Sequence, residues 1–298
     1  MSLRITQGMM HTQLMRDLNR NLGRMQKLQE QMNSGMKINR PSDDPVGITY
    51  GLRYRSELST NDQYQKNVSM ANSWLEFSDK MLTQTEAVFH RLKELTIKAS
   101  TGSNPQAALD AIRVEVEELR DQLIDIGNSK LNGKYVFNGQ FTDEAPYTAG
   151  NAADDRTDSS RIPLVLGAGV EVTINISGND IFGEPGTDDN AFKLVDDLIT
   201  ALQDGDFAGI SASLDKQEQR MDKVLAMHAE IGARTNRVEL IENRLKDLGL
   251  NLEAMQSKVE DADYGDLIIK SKINESIYNA SLSVGAKIIT PSLVDFLR

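Results

Sequence analysis

Heptad-like stripes of apolar residues dominate both ends of the chain. Near the start, Met15, Leu18, Leu22 and Met25 follow a three-four-three rhythm, with Met32 one heptad further on and Gln29 interrupting the row. Near the end, a longer series runs through Val224, Met227, Ile231, Arg234, Val238, Ile241, Leu245, Leu248, Leu252, Met255, Val259 and Ala262. It resumes past the polar Asp266 through Ile269, Ile273, Ile277, Ala280 and Val284. Alternating steps of three and four keep one apolar face turned toward a partner helix. At about 1.5 Å per residue, an unbroken helix from Val224 to Val284 would be roughly 90 Å long, which predicts an elongated molecule. Two more helices carry the same rhythm, one through Ala71, Leu75, Ser78, Leu82, Thr85, Phe89 and Leu92, the other through Ile112, Val116, Leu119, Leu123 and Ile126. The Ser-Thr-Gly-Ser-Asn-Pro stretch from Ser100 to Pro105 separates them as a turn, so they should be antiparallel neighbours.

The middle of the chain differs in kind. From about 135 to 190 it is rich in Gly, Asp, Thr and Asn and loses the helical period. Tyr135 to Phe137, Ile162 to Leu166 and Val170 to Ile176 read as short strands; in the last, Val170, Val172, Ile174 and Ile176 alternate with Glu171, Thr173 and Asn175. Helix returns near Ala191 to Leu202. The predicted fold is mainly α: an elongated antiparallel helical rod or coiled coil made by the N- and C-terminal segments, carrying a small β-rich inserted domain. The expected division is terminal helices at 1–40 with 262–298, a rod at 41–134 with 191–261, and an outer insert at 135–190.

Composition narrows the chemistry. Of 298 residues, 39% are hydrophobic and 26% charged, enough for a real core, while the aromatic share of 5% suits helices meeting through aliphatic seams. A net charge of −11 argues against nucleic acid, which requires a clustered Lys/Arg surface. The absence of cysteine excludes disulfides, thiolate metal sites and cysteine nucleophiles. No stretch has the roughly 20 predominantly apolar residues of a membrane span, so no membrane insertion is expected. The start of the chain lacks the pattern of a cleavable secretory signal, so export would have to use another route. His11, His90 and His228 are far apart, with no second His and no Cys at helical spacing, and His90 and His228 read as solvated. There is no phosphate-cradling glycine loop and no nucleophile elbow. No catalytic, cofactor-binding or metal site is therefore expected, and no cofactor. Gly186-Thr187-Asp188-Asp189-Asn190 lacks the oxygen-ligand spacing of a calcium loop and reads as an acidic helix start. Arg234, within the long stripe, reads as facing solvent, while Asp266 is left open between solvent and a register-setting role.

The most informative segment is Asn33 to Gly47. Ser34-Gly35 ends a helix, with glycine free to adopt the left-handed cap, and Asp44-Pro45 starts another, with aspartate as N-cap and proline in the first turn. Asn39, Arg40, Asp43, Asp44, Pro45 and Gly47 thus form a structured hinge; Asp43 and Asp44 have no third ligand nearby to suggest a metal. This segment resembles the N-terminal signature of the flagellin family, and its Asp43-Asp44-Pro45-Val46 version resembles that family's hook–filament junction subunits. Arg4-Ile5-Thr6, the run Asn132 to Gly139 and Glu242-Asn243-Arg244-Leu245 extend the likeness, and Ser292 to Leu297 again resembles the junction type. The resemblance spans roughly 1–139 and 220–298 and leaves the insert unmatched.

The resemblance implies a secreted structural subunit of the bacterial flagellum, exported through the flagellar type III pathway without a cleaved signal. Its implied partners are copies of itself in a ring, a neighbouring hook-associated protein, flagellin, and a cytoplasmic export chaperone on the C-terminal helix. Met15, Leu18, Leu22 and Met25 with Ile269, Ile273, Ile277, Ala280 and Val284 are the expected assembly interface. An amphipathic helix gains most of its stability by burying its stripe, so these ends should order on joining a tube. From the pattern alone, an ordinary coiled-coil dimer or an internal bundle accounts for the stripes equally well. Filament flagellin itself, or a secretion tip or translocator protein, are the alternatives within secreted assemblies.

Overall fold

The computed structural model describes residues 7–102 and 104–288. In chain order it contains α1 (Gln7–Ser34), α2 (Pro45–Ala99), α3 (Gln106–Gly127), β1 (Lys130–Leu131), β2 (Lys134–Tyr135), β3 (Pro163–Gly167) and β4 (Val170–Thr173). These are followed by α4 (Gly178–Phe182), α5 (Ala191–Asp204), α6 (Phe207–Glu260) and α7 (Tyr264–Ile288). The fold is mainly α, as the periodicity predicts, and both sheets are two-stranded antiparallel hairpins. Among the described residues no helix is long and apolar enough to cross a membrane. The chain divides into two compact units, one from 1–60 with 248–298 and one from 61–247.

In the 61–247 unit, the stripes predicted on α2 and α3 are the core. Ala71, Leu75, Ser78, Leu82, Thr85, Phe89 and Leu92 are all buried on α2, and Ile112, Val116, Leu123 and Ile126 are buried on α3. The two helices run antiparallel, joined across their surface where Arg91 Nε donates to Glu115 at 2.7 Å. The α6 stripe joins them through Val224, Ile231, Val238 and Leu245. Three polar side chains inside these seams are satisfied locally: the Thr96 and Ser78 hydroxyls bond carbonyls one turn back, and Gln217 Nε2 donates to Thr96 Oγ1 at 3.1 Å. Helix α5 does begin at that loop, but it is capped by Asn190, whose side chain accepts from the backbone N–H groups of Phe192 and Lys193, with no acidic residue in its first turn. Its neighbour Asp189 pairs with Arg220 and Lys223 of α6.

The insert is fastened to this body by aromatic packing. Phe182 is the centre, 5.4 Å from the Tyr147 ring, 5.2 Å from Phe192 of α5 and 6.3 Å from Phe137. Gly127 has no side chain because Tyr147 lies on it; an added Cβ would sit 2.6 Å from Tyr147 Cδ2. The β1–β2 hairpin turns on Asn132 and Gly133, with φ of 52° and 81°, the left-handed pair that a two-residue hairpin turn requires. Only Lys134 and Tyr135 form the strand there; Val136 and Phe137, expected as its continuation, leave the ladder and enter the core instead. The alternation predicted from Val170 to Ile176 places Val172, Ile174 and Ile176 inward, although the ladder itself ends at Thr173. Beyond it, the Asn175 side chain substitutes for backbone pairing, accepting from Ile162 N at 2.8 Å and donating to Ser160 O at 2.9 Å.

Two solvent assignments are corrected. Arg234 turns toward the insert, where its guanidinium donates to the carbonyls of Asn175 at 2.9 Å and Thr173 at 3.3 Å and pairs with Glu230. It interrupts an apolar stripe because the unladdered end of β4 offers carbonyls that need donors. His228 is not solvated either: its ring nitrogens lie 2.6 Å from Glu86 and 2.9 Å from Asp79, both on α2. His90 is exposed, as expected.

Partial burial by itself would lower the His228 pKa, but the hydrogen bonds from Glu86 and Asp79 outweigh it and the net shift is upward. A raised folded-state value means the stabilisation is fully present below the unfolded value of about 6.5 and is lost as pH rises through the folded value. His228→Ala should therefore destabilise the protein at pH 5.5, and the gap from the parent should shrink at pH 9, as read by urea unfolding at both values.

Candidate assembly interface

The unit formed by 1–60 and 248–298 is organised around two breaks in helix. The first is the predicted hinge. Helix α1 stops at Ser34, and Gly35 takes the left-handed conformation with φ of 72°. Asp44 Oδ1 then accepts from Val46 N at 3.1 Å and Gly47 N at 2.9 Å, capping α2 at Pro45. Between them Asp43 ties the loop together: one carboxylate oxygen accepts from Arg40 N at 3.0 Å and Asn39 N at 3.3 Å, and the other meets Lys27 of α1 at 2.9 Å. The Lys27 ammonium, helped by those backbone donors, holds the Asp43 carboxyl below its ordinary value. Arg40 pairs with Glu30 at 2.7 Å, and Asn39 Nδ2 donates to Met36 O at 3.3 Å. Gly47 lies under Ile38, where a Cβ would be 2.6 Å from Ile38 Cδ1.

The second break was not expected. The stripe from Val224 to Val284 reads as one helix, but α6 ends at Glu260 and α7 begins at Tyr264. Asp263 caps α7, accepting from Gly265 N at 2.9 Å and Asp266 N at 3.2 Å. The signal was present in Asp261-Ala262-Asp263, an N-cap residue just ahead of a fresh apolar period, but the uninterrupted heptad spacing masked it. The two breaks pair with each other. Met36 and Asp261 form an antiparallel bridge, with Lys37 N donating to Glu260 O at 2.6 Å and Ala262 N to Gly35 O at 3.0 Å. Tyr264 Oη adds a bond to Met32 O at 3.0 Å.

Beyond this joint α1 and α7 pack on each other. The sheltered positions of α7 are Leu267, Ser271, Asn274, Tyr278, Ser281 and Gly285, again in a three-four alternation. Those of α1 are Leu14, Leu18, Asn21, Met25, Leu28 and Met32. Gly285 lets the helices approach, since a Cβ there would be 2.7 Å from Leu14 Cδ2. The seam of α7 is thus mostly small or polar. The stripe singled out from sequence lies on another face: Ile269, Ile273, Ile277 and Val284 are 60%, 52%, 43% and 53% exposed, and Ala280 is exposed as well. On α1, Met15 and Leu22 point outward while Leu18 and Met25 are half-buried. Further along α6, Leu248 and Met255 are also exposed. Asp266 is exposed and pairs with Lys270 on its own helix. Arg4–Thr6 and Ser292–Leu297 lie outside the described residues. Among the described residues no group of three His, Cys, Asp or Glu side chains could hold a metal ion.

Residues 5–142 match the model of the bacterial flagellin N-terminal helical region. The flagellar hook-associated protein 3 of Escherichia coli K12 is 24% identical over 300 residues, covering 94% of this chain and 95% of that protein. The flagellin of Bacillus subtilis 168 is 27% identical over 303 residues, covering 96% of each. Among solved structures, the flagellar junction protein FlgL of Legionella pneumophila superposes with a TM-score of 0.58 at 16% identity, covering 71% of this chain and all of that one. The likeness to the flagellin family carried by the hinge motif is borne out, and the fold is shared with junction proteins.

The geometry of the hinge sets two expectations. Gly47→Ala should loosen it by about 1–3 kcal/mol through collision with the capping Asp44 carboxylate and with Ile38, and Asp44→Ala by about 1 kcal/mol through the lost cap. Faster hydrogen exchange of the amides from 36 to 48, with the 61–247 unit unchanged, is the measurement.

Proposed function

We propose that this flagellin-family chain is the structural subunit that joins hook to filament in the bacterial flagellum. The observation that carries the reading is the outward apolar face of α7. That helix uses its small and polar residues to hold α1 and keeps Ile269, Ile273, Ile277 and Val284 for something outside the chain. A monomer gains nothing from such an arrangement, whereas a subunit stacked in a tube buries each stripe on its neighbour. Similarity to hook-associated protein 3 over nearly the whole length of both chains supports a place at the junction rather than elsewhere in the tube.

In this reading the terminal helices, 1–40 with 262–298, form the axial packing layer. Residues 41–134 with 191–261 form the rod, and 135–190 faces outward. Copies form a ring between a hook-associated protein and flagellin. The chain leaves the cell through the flagellar export channel, held beforehand by a chaperone on its C-terminal helix. The work is packing, with no chemistry. Electron microscopy of a deletion strain, with flagellin assayed in the medium, tests the placement. Bare hooks with flagellin released into the medium are expected; normal filaments would overturn it.

Similarity to a Bacillus flagellin at 27% identity favours a second reading, the filament subunit itself. Seeded purified protein would then grow long tubes, where a junction subunit stops after its own layer.

The interface is open to direct test. Leu22 and Ile273 are 42% and 52% exposed, so a charge at either position has little fold to disturb. Leu22→Glu and Ile273→Glu should leave thermal stability within about 0.5 kcal/mol of the parent. Each should nevertheless abolish incorporation at the hook tip. Normal incorporation of either variant would remove these stripes from the interface.

A further inference from the structure

The joint between the two helix breaks contains a charged group that neither the interface nor the fold of the core requires. The Glu260 side chain is only 3% exposed. Its Oε2 accepts from Arg55 Nη2 at 2.8 Å, from Arg55 Nε at 3.1 Å and from Gln256 Nε2 at 2.9 Å. Its Oε1 has no partner and presses on Gly51, where an added Cβ would collide with it. The backbone carbonyl of the same residue is the acceptor from Lys37 in the bridge between the breaks. One residue therefore carries both fastenings. Its main chain holds the α1–α2 loop, and its side chain holds α2.

We propose that the Arg55–Glu260 pair is the lock that fixes the direction in which α1 and α7 leave the joint, and that it is a positioning contact for assembly. The inference rests on the reading of the chain as a tube subunit. A bridge of one residue pair and two backbone bonds has little resistance to bending, since nothing extends it into a sheet. Two N–H groups of Arg55 converge on the one oxygen Oε2 of the buried carboxylate, and these charge-assisted bonds add a second restraint beside the bridge. Gly51 is required by this arrangement, as any side chain there would push Glu260 off its seat. A stripe on α7 can meet a neighbour in register only if α7 leaves at a set angle.

The two partners are unequal, which makes the idea testable. Arg55 is 44% exposed and returns to water if Glu260 is neutralised, whereas removing Arg55 strands a buried carboxylate. Arg55→Met should thus be the more damaging change and Glu260→Gln the milder. In purified full-length chain, Arg55→Met should speed exchange of the bridging Lys37 and Ala262 amides by about tenfold or more, with the 61–247 unit unaffected. In cells it should lower filament number and release flagellin into the medium. Met36 and Asp261 are a non-hydrogen-bonded antiparallel pair, a spacing that admits a disulfide, and the chain has no other cysteine to compete. Adding Met36→Cys and Asp261→Cys to Arg55→Met should, once oxidised, restore slow exchange and filament number together. Parent-like filament number in Arg55→Met, or a cross-linked chain whose exchange recovers without its filaments, would overturn the lock. If Arg55→Met fails to fold, Glu260→Gln carries the same comparison. Failure of the junction reading would show separately, as normal filaments in the deletion strain.

Discussion

The 61–247 unit depends on the burial of α2 and α6 against each other. Leu75, Leu82 and Leu92 on one helix and Val224, Ile231 and Val238 on the other are withdrawn from water almost completely. Each such side chain contributes about 1.5–3 kcal/mol relative to its exposed state. The seam then sets the terms for everything around it. Helix α3 adds a third apolar stripe, and α5 and the insert close the remaining side through Phe137, Tyr147, Phe182 and Phe192. Several polar residues within this packing have a partner built in, as at Thr96 with Gln217 and His228 between two carboxylates.

The terminal unit follows a different rule. Its two helices meet through a seam in which Asn21, Ser271, Asn274, Ser281 and Gly285 take places that a stable isolated pair would give to Leu or Ile. Such a seam permits close approach but yields little hydrophobic free energy. The isoleucines of α7 are held on another face. A chain that spends its best apolar residues outward is stable where neighbours cover them, which fits a subunit designed to be completed by assembly. Asp43 and Asp44 are spent on backbone N–H groups and Lys27, so the loop between the helices is rigidly hydrogen-bonded despite its exposure.

Much of this was legible in the sequence for reasons that can be named. Amphipathic periods report which face is buried whenever the partner is apolar, so the α2 stripe is buried residue for residue and the α3 stripe is too, apart from the half-buried Leu119. Caps are local, so Gly35 and Asp44 announced the ends of their helices, and Asn132-Gly133 supplies the backbone that a tight hairpin requires. Where the sequence misled, the missing information was the neighbour. Arg234 reads as solvated until the carbonyls at the end of β4 are placed against it. The break at Asp261 to Asp263 is masked in a heptad count because apolar spacing runs on across it, and the sheltered face has already left the counted stripe at Leu248 and Met255.

The sequence by itself therefore determined the helical class, the helix ends at Gly35 and Asp44 and the turn at Asn132-Gly133, because each follows from periodicity or local backbone chemistry. Tertiary structure alone decided which face of α7 is spent inside the chain. It also decided that the two helix breaks bond to each other, and that Glu260 is buried against Arg55. These depend on residues some two hundred positions apart, and no local pattern records the pairing of groups that only folding brings within hydrogen-bonding distance.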